Sequence, residues 1–501
     1  MTTQDTSTAD ALPQAGQAVE TPDATPQRRP GRTARGVTIS TAMSLVVRVV
    51  GIGIGMVTTS LLARTLAPAG YGALSLALTL VTAAAQTADL GIAVTAAARI
   101  AREDQASAGR TLSTGLAIRT TAALIAAAGL IGAALAGAFG GSSSVVAVTA
   151  IATPLSAAAV LTAGSTARFR PEVASVLALV QGALWFGAVL LIHTTKGSLL
   201  FLAWSFVAVT TLQTAIGLVL NRKVVPLGRP SLREVRGIFS VSWPLAVSSF
   251  AFTAYYRLDS LILFKARGAT ELGFYAAGYK FVDVAQIVPT ILVAPLLPLA
   301  ATSLAMDEGR RRTILSLATR MAAVVGVGVA GMLISLAPQL ISIIYGAEFK
   351  PAVRPLVLLA IAYVGIPVGY VGSTILSALG KAKPIALVTV TVAGGSLIAQ
   401  AWASVRWGAT GAAAVTAVTQ LAIGATYCVL ATRAMRTRLP VAALLSSIFV
   451  MCVVVLPASV VNLPWIVEAV AVAVLMGGGL LLFRVITLAD LRRVLARRAV
   501  S

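Results

Sequence analysis

The stretch YYRLDSLILFK, residues 255–265, sets an arginine and an aspartate inside an otherwise apolar run. Positions i and i+2 of a helix face different sides, so Arg257 and Asp259 do not neutralise each other there and each needs its own partner. Lys280 and Asp283 follow in the next apolar run, and Arg48 stands near the middle of the first one. Ionisable groups at such depth mark a binding or relay site. A guanidinium keeps its charge when buried and offers a planar fork of donors that matches phosphate oxygens. An embedded carboxylate is suited to a proton or a sodium ion. Arg48, Arg257 and Lys280 are therefore the candidate anion-binding set, and Asp259 and Asp283 the candidate ion-coupling groups. At i and i+3, Lys280 and Asp283 are also spaced to pair with each other.

The elements that hold these groups must be helices in lipid. Of the 501 residues, 57% are hydrophobic and 11% charged, against about 25% charged in a soluble domain. So little polar surface cannot cover so apolar a core in water. Apolar segments of spanning length lie at 38–62, 71–98, 112–137, 144–166, 172–194, 198–220, 238–264, 272–301, 313–345, 353–379, 384–404, 409–432, 441–462 and 464–484. The expected fold is an all-α integral membrane protein with about 14 transmembrane helices. Of the 39 Lys and Arg residues, 27 fall on the side of the two tails, 7 on the other side and five within spans. This asymmetry predicts that both termini are cytoplasmic. The net charge of +22 is spread over these short clusters without interleaved aromatics, which argues against a nucleic-acid partner.

The chain repeats itself. RFRPEVASVLALVQGAL (168–184) aligns without a gap on KAKPIALVTVTVAGGSL (381–397), and LLARTLAPAGYG (61–72) aligns more weakly on LILFKARGATELG (261–273). Six spans separate the partners, so the copies are parallel in the membrane and related by a pseudo-twofold axis along its normal. The expected organisation is a disordered tail at 1–37, a six-helix N-lobe at 38–221 and a linker at 222–237. A six-helix C-lobe at 238–433, two extra C-terminal helices at 434–485 and a basic tail at 486–501 complete it. Pro244, Pro289 and Pro295 remove helical hydrogen bonds and are candidate hinges. Gly51, Gly53 and Gly55 permit a bend or a close helix approach.

Several chemistries are excluded. GSTILSALGKAKP (372–384) does not fit a phosphate loop, since neither the first glycine nor the hydroxyl after the lysine is in place. The single histidine, His193, stands near a span end, and no metal or cofactor motif is present. Cys428 and Cys452 lie in apolar runs and read as inert buried thiols. Arg119 and Arg320 read as snorkelling side chains and Asp89 as solvated. Every external break is short, which argues against a polymerase and for a transporter.

LLARTLAPAGYGALSLALTLV followed by DLGI (89–92), and YYRLDSLIL with LGFYAAGYKFV (272–282), resemble the two lobe openings of the Wzx-type polysaccharide flippases. That family belongs to the superfamily that also holds multidrug exporters and lipid II flippases. The resemblance implies a non-enzymatic flippase in the plasma membrane. It would translocate a polyprenyl-pyrophosphate-linked oligosaccharide by alternating access for cell-envelope polysaccharide biosynthesis. Implied partners are that lipid-linked oligosaccharide, membrane lipid, H+ or Na+, and a polysaccharide polymerase or glycosyltransferases. A lipid II flippase is an alternative: SLVVRVVG (44–51) is similar to the opening of that group, although LAPAGYG departs from it. An ion-coupled multidrug exporter is another, weakened by the small number of spanning aromatics.

Overall fold

A computed structural model describes residues 34–100, 105–158, 171–195, 197–222, 228–293, 307–437 and 441–458, with isolated positions beyond. Residues 1–33 of the tail expected at 1–37, the tail at 486–501 and most of the segment 464–484 lie outside the described residues, and residues 34–37 already belong to the first helix. The described residues are helices, turns and short connections. In chain order the α-helices are α1 Ala34–Ala88, α2 Ile92–Ile100, α3 Gln105–Leu135, α4 Ser143–Ala150, α5 Pro171–Thr195 and α6 Leu199–Arg222. They continue as α7 Leu232–Ala285, α8 Ile287–Val293, α9 Glu308–Ser335, α10 Ala337–Ile344, α11 Val353–Ala378, α12 Ala382–Ala434 and α13 Val441–Ala458. Among the described residues, nine helical segments are long and apolar enough to cross a membrane. Three of them belong to the bent helices α1, α7 and α12. The fold is thus an all-α membrane bundle; with two arms in each of those bent helices, the nine segments neither fix nor contradict a count of 14 crossings within the described residues.

Each bend has a local cause. In α1 the helical path breaks at Ala67 (φ 54, ψ 174), the residue before Pro68. The proline ring excludes the α conformation from its predecessor and then serves as the first turn of the second arm. In α7 the break falls at Gly268 (φ 83, ψ −173), where the absence of a Cβ makes this backbone accessible. Pro244 lies within the helical run before it, so the break in α7 belongs to Gly268 rather than to that proline. Pro289 acts differently: it lies in α8, just past the turn at Gln286 that separates α7 from α8. A proline cannot bond the carbonyl four residues earlier, here that of Ala285, and Tyr363 Oη donates to this carbonyl at 2.7 Å. Pro295 lies outside the described residues.

The two lobes meet where α1 and α7 bend, and the internal repeat becomes visible there. A Cβ on Gly72 would collide with the Ala269 carbonyl and lie 2.8 Å from the Gly273 nitrogen. A Cβ on Gly273 would collide with the Pro68 carbonyl and lie 3.4 Å from the Gly72 nitrogen. The pairs 67/268, 68/269 and 72/273 share one register, so this crossing lies on the pseudo-twofold axis. Only glycine lets the two backbones come so close. Arg64 and Lys265 obey the same register. Arg64 Nη2 donates to the Ile343 carbonyl of the C-lobe at 2.5 Å. Lys265 Nζ donates to the Ala138 carbonyl of the N-lobe and lies 5.6 Å over the Phe139 ring. Each lobe thus reaches across to the other with an equivalent cation.

An aromatic cluster fills the interface beside this crossing. Tyr71, Phe274, Phe281, Tyr345 and Phe349 pack with ring centroids 5.2–6.2 Å apart, mostly edge to face, the arrangement the ring quadrupoles favour. Within the C-lobe the bends of α7 and α12 are joined. Arg267 donates to the Val405 and Arg406 carbonyls at 3.0 and 3.1 Å, and Glu271 accepts from the Ala409 amide at 2.7 Å, just past Gly408 (φ 57). On the α1 and α7 arms the lobes also touch through Thr253 and Gln86, 3.3 Å apart.

Candidate functional site: a cavity between the lobes

Between the lobes lies a cavity of about 270 Å³, near the lower end of the roughly 300–1,000 Å³ common for small-molecule sites. Gly55, Thr58, Thr59 and Leu62 face it from the first arm of α1, and Tyr71, Leu74, Ser75, Leu78, Thr79 and Thr82 from the second. Spacings of three and four put each set on one helix face. Trp185 of α5 completes the N-lobe wall. The opposite wall is α7: Arg257, Asp259 and Ser260 before the bend, then Tyr275, Ala276, Tyr279, Lys280 and Asp283 beyond it.

Four of the five expected site residues are therefore brought together: Arg257, Lys280, Asp259 and Asp283 all line one cavity. Arg48 is not among them. It is exposed on α1, two turns or roughly 10 Å before Gly55 on the same helix face. A Cβ at Gly51, Gly53 or Gly55 would meet nothing within 4 Å. Among the described residues nothing packs closely on this part of α1, so there Arg48 is exposed rather than enclosed and those glycines serve no close helix approach.

Asp259 departs from expectation in another way. The i, i+2 spacing places it away from the face of Arg257, yet both line the cavity, because the space wraps around α7. Asp259 accepts from Tyr275 Oη at 2.6 Å, from its neighbour's Ser260 amide at 2.5 Å and from Ser260 Oγ at 3.2 Å. Tyr275 Oη lies 3.1 Å from Thr416 Oγ1. Asp259 also forms part of a second cavity of about 20 Å³, lined by Tyr279, Ser396, Gln400, Thr416, Thr419 and Gln420 together with Leu397 and Val415. That volume admits about one water-sized species. Oxygen-bearing side chains dominate this lining, the donor type suited to a hard cation or a water. The α12 residues are spaced 396/400 and 416/419/420, a polar stripe on each apolar arm that a sequence reading had the means to find.

Other expectations change as well. Arg119 does not snorkel: it is 7% exposed and forms an ion pair with Asp89, so Asp89 is a half-buried ion-pair partner rather than a freely solvated acid. Thirty positions separate these residues, beyond any helical pairing rule. Cys428 is buried but Cys452 is exposed, since α13 turns that face outward. His193 is exposed, with Nδ1 2.9 Å from Thr65 Oγ1 at a helix end. Among the described residues no group of three or more His, Cys, Asp or Glu is placed to hold a metal.

Comparison with known proteins places this architecture. A lipid II flippase, MurJ, in an inward closed conformation superposes with a TM-score of 0.70 at 11% identity, covering 88% of this chain and 97% of that one. An inward-facing multidrug resistance transporter of the MATE family, of the MOP superfamily, gives 0.57 at 16% identity over 80% of this chain and 98% of that one. A MOP superfamily transporter from Pyrococcus furiosus, described by a binding pocket of reversed polarity, gives 0.59 at 12% identity over 80% and 96%. At these identities the likeness is one of fold: two lobes around a central cavity. No curated protein sequence matches the chain. A family profile described as polysaccharide biosynthesis protein matches residues 37–303, more than half of the chain and most of the cavity lining, and the chain belongs to that family.

Proposed function

We propose that the protein is a flippase that carries a polyprenyl-pyrophosphate-linked oligosaccharide across the plasma membrane by alternating access. The observation that carries this reading is the clustering of Arg257 and Lys280 on the wall of an interlobe cavity in a chain of the polysaccharide biosynthesis family. A pyrophosphate is the part of such a substrate that lipid resists most, and forked or ammonium donors in a low-dielectric cavity offset its desolvation. The polyprenyl tail stays in lipid at a lateral opening between lobes. Asp259, shared between the large cavity and the small oxygen-lined one, is the group we assign to ion coupling by H+ or Na+, with Asp283 beside it. Both tails are taken as cytoplasmic on the basic-residue asymmetry, and transport is proposed to run from the inner to the outer leaflet. A polymerase or glycosyltransferase on either side would supply or consume the glycan. Depletion of the protein in its own cell is the test. Lipid-linked oligosaccharide accumulating in the inner leaflet supports the reading, and an unchanged leaflet distribution refutes it.

One observation favours a second reading. The cavity gathers Tyr71, Trp185, Tyr275 and Tyr279 beside Asp259 and Asp283, a lining that also suits an amphipathic cation. Aromatics are few in the chain but concentrated here, so the composition argument against a drug exporter is weaker than the sequence implied. Ethidium efflux from cells that express the protein, with lipid-linked glycan left evenly distributed, selects this reading.

A further inference from the structure

The two walls of the cavity are chemically unlike. All four of its ionisable acid and base groups, Arg257, Asp259, Lys280 and Asp283, come from the C-lobe, while the N-lobe wall is built of hydroxyl, aromatic and aliphatic side chains. On that wall the hydroxyls of Thr58, Thr59 and Thr82 donate to the carbonyls four residues earlier, at 2.7, 2.8 and 2.7 Å. Each hydroxyl has a single proton, so what it presents to the cavity is acceptor lone pairs. Phosphate oxygens are acceptors too and gain nothing from these three hydroxyls. Sugar hydroxyls, which donate, do. Trp185 stands beside them with its ring held edge-on by Phe206 at 5.7 Å and 84°, a fixed apolar plane against which the C–H face of a pyranose can lie.

We infer that the N-lobe wall is a glycan subsite, which takes the first neutral sugar of the substrate while the C-lobe wall takes its pyrophosphate. This rests on the flippase reading above and adds an orientation and a division of labour to it: charge is read by one lobe and sugar by the other. A substrate of this kind bridges the lobes, so the ligand itself couples their movement.

The test measures binding to purified protein in lipid nanodiscs with two probes, polyprenyl pyrophosphate bearing one N-acetylglucosamine and the same lipid without sugar. The variant is Thr58→Val with Thr82→Val, which keeps side-chain shape and removes both acceptors. Its expected result is a loss of about tenfold in affinity for the sugar-bearing probe with affinity for the sugar-free probe unchanged; the latter also reports that the variant is folded. The Thr58→Ser, Thr82→Ser pair should bind both probes as the wild type does. Equal weakening of both probes, no weakening of either, or a wild type that binds the two probes equally overturns the glycan subsite while leaving the flippase reading intact. A wild type that binds neither probe overturns the flippase reading and the subsite with it.

Discussion

Removing the paired cations at the lobe crossing should open it. Arg64 and Lys265 make equivalent contacts in opposite directions, each to a backbone carbonyl of the other lobe, and both side chains are exposed. An exposed charged contact contributes about 0.5–1 kcal/mol, and the Phe139 ring under Lys265 adds about 0.5 kcal/mol. The pair together then holds the crossing closed by about 1.5–2.5 kcal/mol, a roughly ten- to seventyfold change in the closed-to-open ratio at a tenfold per 1.4 kcal/mol. The assay is a distance measurement between spin labels at Leu135→Cys and Lys350→Cys, on a Cys452→Ser background. Arg64→Ala with Lys265→Ala should shift the distribution towards long distances, and each single variant should give a part of that shift. An unchanged distribution in the double variant, or an equal shift from the exposed control Arg354→Ala, would show that the pair does not hold the crossing closed.

The remaining predictions concern the bends, the role proposed for Asp259 and the topology. Ala67 holds a backbone conformation that only glycine adopts freely, at a cost of about 1–3 kcal/mol; Ala67→Gly should therefore raise the unfolding temperature in detergent and Gly268→Ala should lower it, and opposite signs would show that the bends are not equivalent. Asp259→Asn should abolish the dependence of transport on an ion gradient or membrane potential while leaving probe binding within a few-fold; transport in the wild type that survives collapse of both would remove the coupling role. Single cysteines in the GGSSS loop at residue 140 should label from outside the cell and at residue 436 only from inside, and the reverse at both positions would invert the orientation.

How far the sequence showed this architecture differs from element to element. The helices were legible because lipid demands about twenty apolar residues per crossing. Gly72 and Gly273 were legible as partners because the repeat aligns the ends of LLARTLAPAGYG and LILFKARGATELG, whereas the bends were not: Pro68 falls in what reads as a break between two separate spans, and Gly268 carries no mark beyond being a glycine. The cavity charges were legible on α7, where an apolar background makes each ionisable residue stand out. Arg48 was misplaced because depth along a helix says nothing of whether neighbours enclose it. The Arg119–Asp89 pair was missed because its partners come from different elements. The contacts of Arg64 and Lys265 had no sequence signal at all, since backbone carbonyls accept them and every residue carries one.

Whether Arg257 binds the pyrophosphate of a lipid-linked glycan during its passage is decided by flipping in proteoliposomes that hold equal amounts of wild-type and variant protein. The substrate is polyprenyl-pyrophosphate oligosaccharide, scored by its access to an added glycosidase. Loss of a charge-assisted contact worth about 1.5–3 kcal/mol predicts that Arg257→Ala raises the half-saturating substrate concentration about ten- to a hundredfold. Arg257→Lys should recover only part of this, because an ammonium cannot reproduce the bidentate fork. Flipping by Arg257→Ala at the wild-type rate across the same concentrations would show that Arg257 does not bind the pyrophosphate.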